Sequence, residues 1–194
     1  MNLALIGLRG SGKSTLARRA AEALSLTPID LDNVTPALMG HASVREAWER
    51  EGEPAFRDAE SQALRGVLAQ DNQSIALGGG TPTAPGARDM LERARRTRRA
   101  IVVYLRAAPD TLAARLSASD NAHRPSLTGK GTIEEIAGVL AARGPLYESL
   151  ADSIIDVDTL DEDGALRAIL DAWRTANDQA QRDERTGASD QPSN

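Results

Sequence analysis

The 194-residue chain contains no cysteine, which excludes disulfide scaffolds, thiolate zinc sites and thiol redox chemistry. Its only histidines, His41 and His123, lie far apart in sequence, which argues against a histidine-based metal centre. Long apolar runs are also missing. Stretches such as 100–105 fall far short of the ~20 residues that a bilayer requires, and a glycine-rich motif starting at Gly7 leaves no space ahead of it for a cleavable leader. A cytoplasmic location without membrane contact is expected. Positive charge is scarce too: the formal net charge is -5 and the pI near 5.1, which speaks against a broad basic face for nucleic acid. Lysine is nearly absent, since only Lys13 and Lys130 among 23 basic residues are lysines. Catalysis is left to carboxylates, arginines, hydroxyls and backbone.

What remains is ample for one core, because a chain of this length buries roughly 70% of the surface that its unfolded form exposes. Short apolar runs at 3–6, 26–30, 74–77, 100–105 and 153–157 read as strands, the second of them weak. Helical composition fills the intervals at 13–24, 43–51, 53–70, after Pro85, and at 109–116, 132–150 and 161–176. Parallel strands need crossover connections, so this alternation predicts a three-layer α/β sandwich around a five-stranded parallel sheet. Ligands in such sheets bind beyond the carboxyl ends of the strands. The polar stretch 117–131 is longer than an ordinary connection and reads as a lid or as disorder. Residues 177–194 carry no large apolar side chain and read as a disordered tail behind a single domain, 1–176.

The segment Gly7-Leu8-Arg9-Gly10-Ser11-Gly12-Lys13-Ser14 matches the phosphate-loop pattern GxxxxGK[ST] and lies between a predicted strand and a predicted helix. Its glycines let backbone N–H groups turn around phosphate oxygens at the positive end of the helix. Lys13 reaches the β and γ phosphates, and Ser14 offers its hydroxyl to Mg2+. Arg9 either adds charge near the phosphates or points to solvent. A guanine-reading Asn-Lys-x-Asp segment is absent, and mechanical ATPases are usually larger, which favours a kinase for a small acceptor.

Several later residues bear on that acceptor. Asp30 and Asp32, at the end of the second strand, share one face if the strand persists; one carboxylate can support Mg2+ while the other accepts a hydroxyl proton. Asp32 could equally cap the next helix. Trp48, Phe56 and Arg57 place rings beside a guanidinium, which suits a ring-shaped carboxylate, with Glu60 one turn on to orient Arg57; the bland alternative is core rings and a solvated arginine. Gly78-Gly79-Gly80 suits a close approach of ligand to backbone, or a flexible turn. Arg124 sits inside the polar stretch, where closure could carry it onto the transferring phosphate. Arg143 precedes Gly144-Pro145, a break that could aim it into the cleft.

In succession GLRGSGKST, IDLD, EGEPAFR, LGGG, RPSL and ARGPLYESLA resemble the shikimate kinases, a family within the nucleoside-monophosphate-kinase-like P-loop proteins, over about residues 1–176. The resemblance implies ATP-dependent phosphorylation of the 3-hydroxyl of shikimate, a step toward chorismate and the aromatic amino acids, by a monomer with a lid at about 117–131 and substrate-binding helices at about 31–65. It makes Gly10, Ser11, Gly12, Lys13, Ser14 and Thr15 the cradle for ATP, Ser14 and Asp30 the Mg2+ side of the site, and Asp32 the residue that binds the substrate hydroxyls and assists deprotonation. Arg57, Gly79 and Arg143 become the shikimate-binding set, and Arg124 the lid arginine on ATP. Asp161, Glu162 and Asp163 depart from the family, which is often basic there, as does His123 before Arg124. A sugar-acid kinase such as gluconate kinase, or a nucleotide-binding regulator without turnover, are the alternatives.

Overall fold

The computed structural model describes residues 1–118 and 135–188. Among them are five strands: β1 (Asn2–Ile6), β2 (Thr27–Asp30), β3 (Gln73–Ala76), β4 (Ala100–Arg106) and β5 (Ser153–Asp156). All pair in parallel, in the order β2-β3-β1-β4-β5. Among the described residues seven helices surround them: α1 (Lys13–Leu24), α2 (Leu31–Leu38), α3 (Val44–Leu68), α4 (Ala87–Arg96), α5 (Pro109–Ser117), α6 (Ile136–Leu150) and α7 (Glu162–Ala188), with a 3-10 turn at Thr81–Thr83.

The central strands are apolar on both faces because both faces are covered. Leu3 and Leu5 of β1 and Ile101, Val103 and Leu105 of β4 pack against α1, α5 and α7. Their alternating neighbours Ala4, Ile6, Val102 and Tyr104 pack against α3 and α4. Each large side chain buried in this way contributes about 1.5–3 kcal/mol. β2 is an edge strand with exposed Thr27 and Pro28, which explains its weak sequence signal.

This wiring fixes where a ligand can enter. Adjacent strands β1 and β3 send their following helices, α1 and α4, to opposite faces of the sheet, so a crevice opens between their carboxyl ends. α6 begins against one face through Ile136 and ends against the other through Tyr147 and Leu150. Its middle therefore passes over the crevice.

The expected separation of the 43–51 and 53–70 helices is present: α3 is two helical segments joined across a kink at Gly52 (φ 78°, ψ 169°). Three other local expectations change. β2 stops at Asp30, and α2 starts at once because the Asp30 side chain caps it, accepting the Asp32 N–H at 2.9 Å. α6 runs through Gly144-Pro145 without a break. α7 continues to Ala188, so 177–188 is helical rather than disordered; its Ala, Gln, Arg and Glu residues have good helix propensity. Residues 189–194 lie outside the described residues. No helix among the described residues is long and apolar enough to cross a membrane.

Far from the crevice, Asp152 latches β5 to the sheet. Its carboxylate accepts from Val102 N–H at 2.8 Å and from Arg95 Nε at 2.8 Å. Asp152→Ala leaves that N–H unpaired and should cost about 1–3 kcal/mol, or very roughly 2–4 °C in Tm per kcal/mol, with substrate KM values unchanged. Thermal melts and steady-state kinetics on the same preparation check both halves.

Candidate active site

The phosphate loop follows β1, and its glycines hold conformations that other residues avoid: φ is 145° at Gly7, 83° at Gly10 and 92° at Gly12. Gly12 is the cap of α1 and offers no side chain to bond the first N–H groups of the helix. Lys13 is buried, and its Nζ donates to the Leu8 carbonyl at 2.9 Å and lies 3.5 Å from Ser11 Oγ. A cavity beside it is lined by Gly10, Gly12, Lys13, Ser14, Thr15 and Arg115. One turn and one helix start thus bring together the residues expected to form the cradle. Arg9, left open between phosphate and solvent, is largely buried with its guanidinium 3.7 Å from the buried carboxylate of Glu135, and it lines the cavity.

A second cavity lies on the other side of the crevice, lined by Asp32, Trp48, Phe56, Arg57, Gly79 and Arg143 among others. Arg9, Asp32 and Gly79 line both cavities. Asp32 thus stands where the two chambers meet, although not by the expected route. The strand does not persist to present it beside Asp30; the first turn of α2 does so instead. Asp30 faces a neighbouring cavity shared with Ser14, Thr15 and Arg18.

Arg57 is held from several sides. Its Nη1 donates to Glu60 at 2.5 Å, and its Nε and Nη2 donate to Glu53 at 3.3 and 3.2 Å. Its guanidinium carbon lies 5.1 Å from the centroid of the Trp48 ring, within cation–π range, and Trp48 packs on buried Phe56. The rings are therefore both core and wall. Glu60 also accepts from Thr81 Oγ at 2.7 Å.

The glycine run after β3 is explained by crowding. A Cβ on Gly78 would lie 2.9 Å from Asp32 Oδ1, from Glu60 Oε1 and from Thr81 Oγ1, and one on Gly80 would lie 1.9 Å from Arg57 Nη1. The Gly79 carbonyl accepts from Arg143 Nη1 at 3.2 Å and from the Tyr147 hydroxyl at 2.5 Å. Arg143 reaches the crevice because α6 crosses it, with no helix break.

Thr81, Arg115, Glu135 and Tyr147 escape a reading of the sequence. Tyr147 was detectable in principle, being four residues after Arg143 and so on the same helical face. Arg115, which donates to the Val157 carbonyl at 2.8 Å and lines the phosphate cavity and an adjoining one with Leu160 and Asp161, carries no local signal. Glu162 and Asp163, the unexpected acids, pair with Arg19 at 2.8 and 2.7 Å, and Asp161 accepts from the Gly164 N–H at 2.7 Å. They close the start of α7. Arg124, His123 and nearly all of the expected lid lie outside the described residues.

A divalent cation fits the donor set. No cluster of three or more acidic or histidine side chains able to hold a metal occurs among the described residues, but Mg2+ at a nucleotide needs only one or two protein oxygens beside phosphate and water. Ser14 and Asp30 line one cavity, where they could supply such oxygens.

Four similarities bear on identity. The family model described as shikimate kinase matches residues 9–174. A shikimate kinase of Rhodopirellula baltica is 39% identical over 92% of this chain and 94% of its own length. A shikimate kinase 2 of Yersinia enterocolitica is 39% identical over 78% and 84%. A solved shikimate kinase from Acinetobacter baumannii, in complex with shikimate, superposes with a TM-score of 0.79 at 28% identity, covering 90% of this chain and 93% of that one.

Burial holds the Glu60 carboxyl above its ordinary value of 4.5, against the opposing pull of Arg57 and Thr81 and with a small further push from Asp32. The folded state then binds the Glu60 proton more tightly than the unfolded state does, so stability falls as pH rises from 4.5 through the raised value. Glu60→Gln should remove that part of the decline; melting curves collected across the acidic range measure it.

Proposed function

The chain belongs to the shikimate kinase family, and on that premise we propose that it catalyses ATP-dependent phosphorylation of the 3-hydroxyl of shikimate. The observation that carries the reading is the pair of adjoining cavities that share Asp32, Gly79 and Arg9: one has phosphate-loop chemistry, the other aromatic walls and two further arginines, Arg57 and Arg143.

The acceptor carboxylate docks between Arg57 and Arg143, whose planar guanidinium groups suit a carboxylate fork. Trp48 and Phe56 flank the ring face. In the donor cavity the N–H groups of residues 10–15 and Lys13 hold the phosphates of ATP. Ser14, supported by Asp30, would hold Mg2+, which would supply neutralisation of the phosphate charge. Asp32 accepts the proton of the 3-hydroxyl while that oxygen bonds to the γ-phosphorus and the bond from phosphorus to the ADP oxygen breaks. ADP, shikimate 3-phosphate and the proton on Asp32 are the products. Such a reaction is catalysed chiefly by positioning and electrostatics. The role of Arg124 on the donor phosphates rests on the sequence resemblance.

A coupled ADP-release assay with shikimate, gluconate, quinate and nucleoside monophosphates tests the reading; turnover with gluconate or a nucleotide in preference to shikimate rejects it. Asp32→Asn should abolish most turnover while nucleotide binding, followed by calorimetry with ADP and Mg2+, is retained. Wild-type turnover by Asp32→Asn removes the proton-acceptor role. Arg143→Ala deletes a charge-assisted contact worth about 1.5–3 kcal/mol and should raise the KM for shikimate by that amount, leaving the KM for ATP in place. It is a cleaner probe than Arg57→Ala, which also strands the buried Glu60 carboxylate.

A further inference from the structure

The hydroxyl of Tyr147 links α6 to the crevice. The side chain is fully buried and its ring lies 5.2 Å from that of Tyr104, tilted by 54°. Its hydroxyl donates to the Gly79 carbonyl at 2.5 Å. Arg143, one helical turn earlier, donates to the same oxygen at 3.2 Å. Tyr147 and Arg143 thus act on one acceptor from one helix face.

That acceptor belongs to the peptide unit joining Gly79 to Gly80. Gly79 also packs against the phosphate loop: a Cβ there would lie 3.5 Å from Arg9 N and 3.6 Å from the Gly7 carbonyl. Gly80 lies directly beneath the Arg57 guanidinium. In a trans peptide the carbonyl and the following N–H point in opposite directions. Holding the Gly79 carbonyl toward α6 therefore fixes the Gly80 N–H away from it, and fixes the floor on which Arg57 rests. Glycine has no side chain to resist rotation of this unit, so the restraint has to come from outside it.

We propose that Tyr147 is a positioning residue of the acceptor site: its hydroxyl clamps the Gly79–Gly80 peptide and thereby sets the separation of Arg57 and Arg143. This rests on the reading that the carboxylate of shikimate docks between those two arginines. Burial raises the Tyr147 hydroxyl to about 12, with Arg143 opposing, so it stays protonated and donates throughout the working pH range. It cannot serve as a base at neutral pH, which agrees with a positioning role.

The experiment uses the full chain, Tyr147→Phe, Tyr104→Phe, Arg143→Ala and the double variant of Tyr147→Phe with Arg143→Ala. Steady-state kinetics are measured with shikimate and ATP varied separately, beside thermal melts. Tyr147→Phe keeps the ring pair and removes one hydroxyl. It should raise the KM for shikimate about five- to tenfold and leave the KM for ATP within about twofold. Tyr104→Phe makes the same chemical change in the same core without touching Gly79, and should leave both constants unchanged. In the Arg143→Ala background the effect of Tyr147→Phe on the shikimate KM should shrink to less than about twofold, because residues acting through one contact are not additive.

Four results overturn the proposal: an unchanged shikimate KM in Tyr147→Phe, an equal rise in both KM values, the same rise in Tyr104→Phe, or full multiplicativity with Arg143→Ala. A Tyr147→Phe protein that cannot fold also overturns it, by making the hydroxyl a requirement of the fold and not of the site. Absence of shikimate turnover in the unaltered chain overturns the functional reading and this proposal together; turnover there with any of the preceding results overturns this proposal alone.

Discussion

Two cavities can meet in this molecule because three consecutive residues after β3 have no side chains. Asp32, Glu60 and Thr81 fill the space that a Cβ on Gly78 would need, and Arg57 fills that of Gly80. Gly79 lies against the phosphate loop and accepts hydrogen bonds from α6. A Cβ at Gly78 or Gly80 would have to displace the ends of those side chains, whereas one at Gly79 would meet only ordinary van der Waals contact. Contacts among β1, β3, α2, α3 and α6 at the crevice depend on that clearance, and so does the short path from a phosphate donor to an acceptor.

Electrostatics at the junction follow from burial. The chain is acidic as a whole, yet Lys13, Arg9, Arg57 and Arg143 line the two chambers. Cations gathered in this way would repel one another without counter-charges. Glu60, buried beside Arg57, and Glu135, buried beside Arg9, provide them. Each such pair has been removed from water, so its worth lies less in net stability than in the geometry it enforces. Arginine serves here because its planar fork is fixed by several partners at once; Arg57 has Glu53, Glu60 and the face of Trp48. Lysine is kept at position 13, inside the glycine loop, where a slender point charge fits.

The acids Asp30 and Asp32 show how a local rule divides labour. The Asp30 side chain caps α2 by accepting from the Asp32 N–H, and this starts the helix that turns the Asp32 side chain toward the chambers. Had β2 continued, the two carboxylates would share a face and compete for it. The cap separates them, placing Asp30 with Ser14 and Asp32 at the junction.

Much was legible in the sequence where chemistry is local. The phosphate loop, the parallel sheet and the kink at Gly52 follow from spacing, periodicity and backbone preference among residues close in the chain. The succession of short motifs carried the family. The true length of α7 and the unbroken path of α6 were not legible, because helix propensity without an apolar face gives no boundary and because Pro145 weakens a helix without ending it. Nor were Arg115, Glu135 and Thr81, whose partners are distant in sequence. The sequence alone determined which residue types suited to phosphate and carboxylate the chain carries: glycine torsions, a lysine and guanidinium groups. The tertiary structure alone decided that Asp32, Gly79 and Arg9 are shared by both chambers and that Tyr147 bears on one of them. That sharing arises from the strand order and from α6 crossing the crevice, relations between segments more than 60 residues apart, which no local pattern encodes.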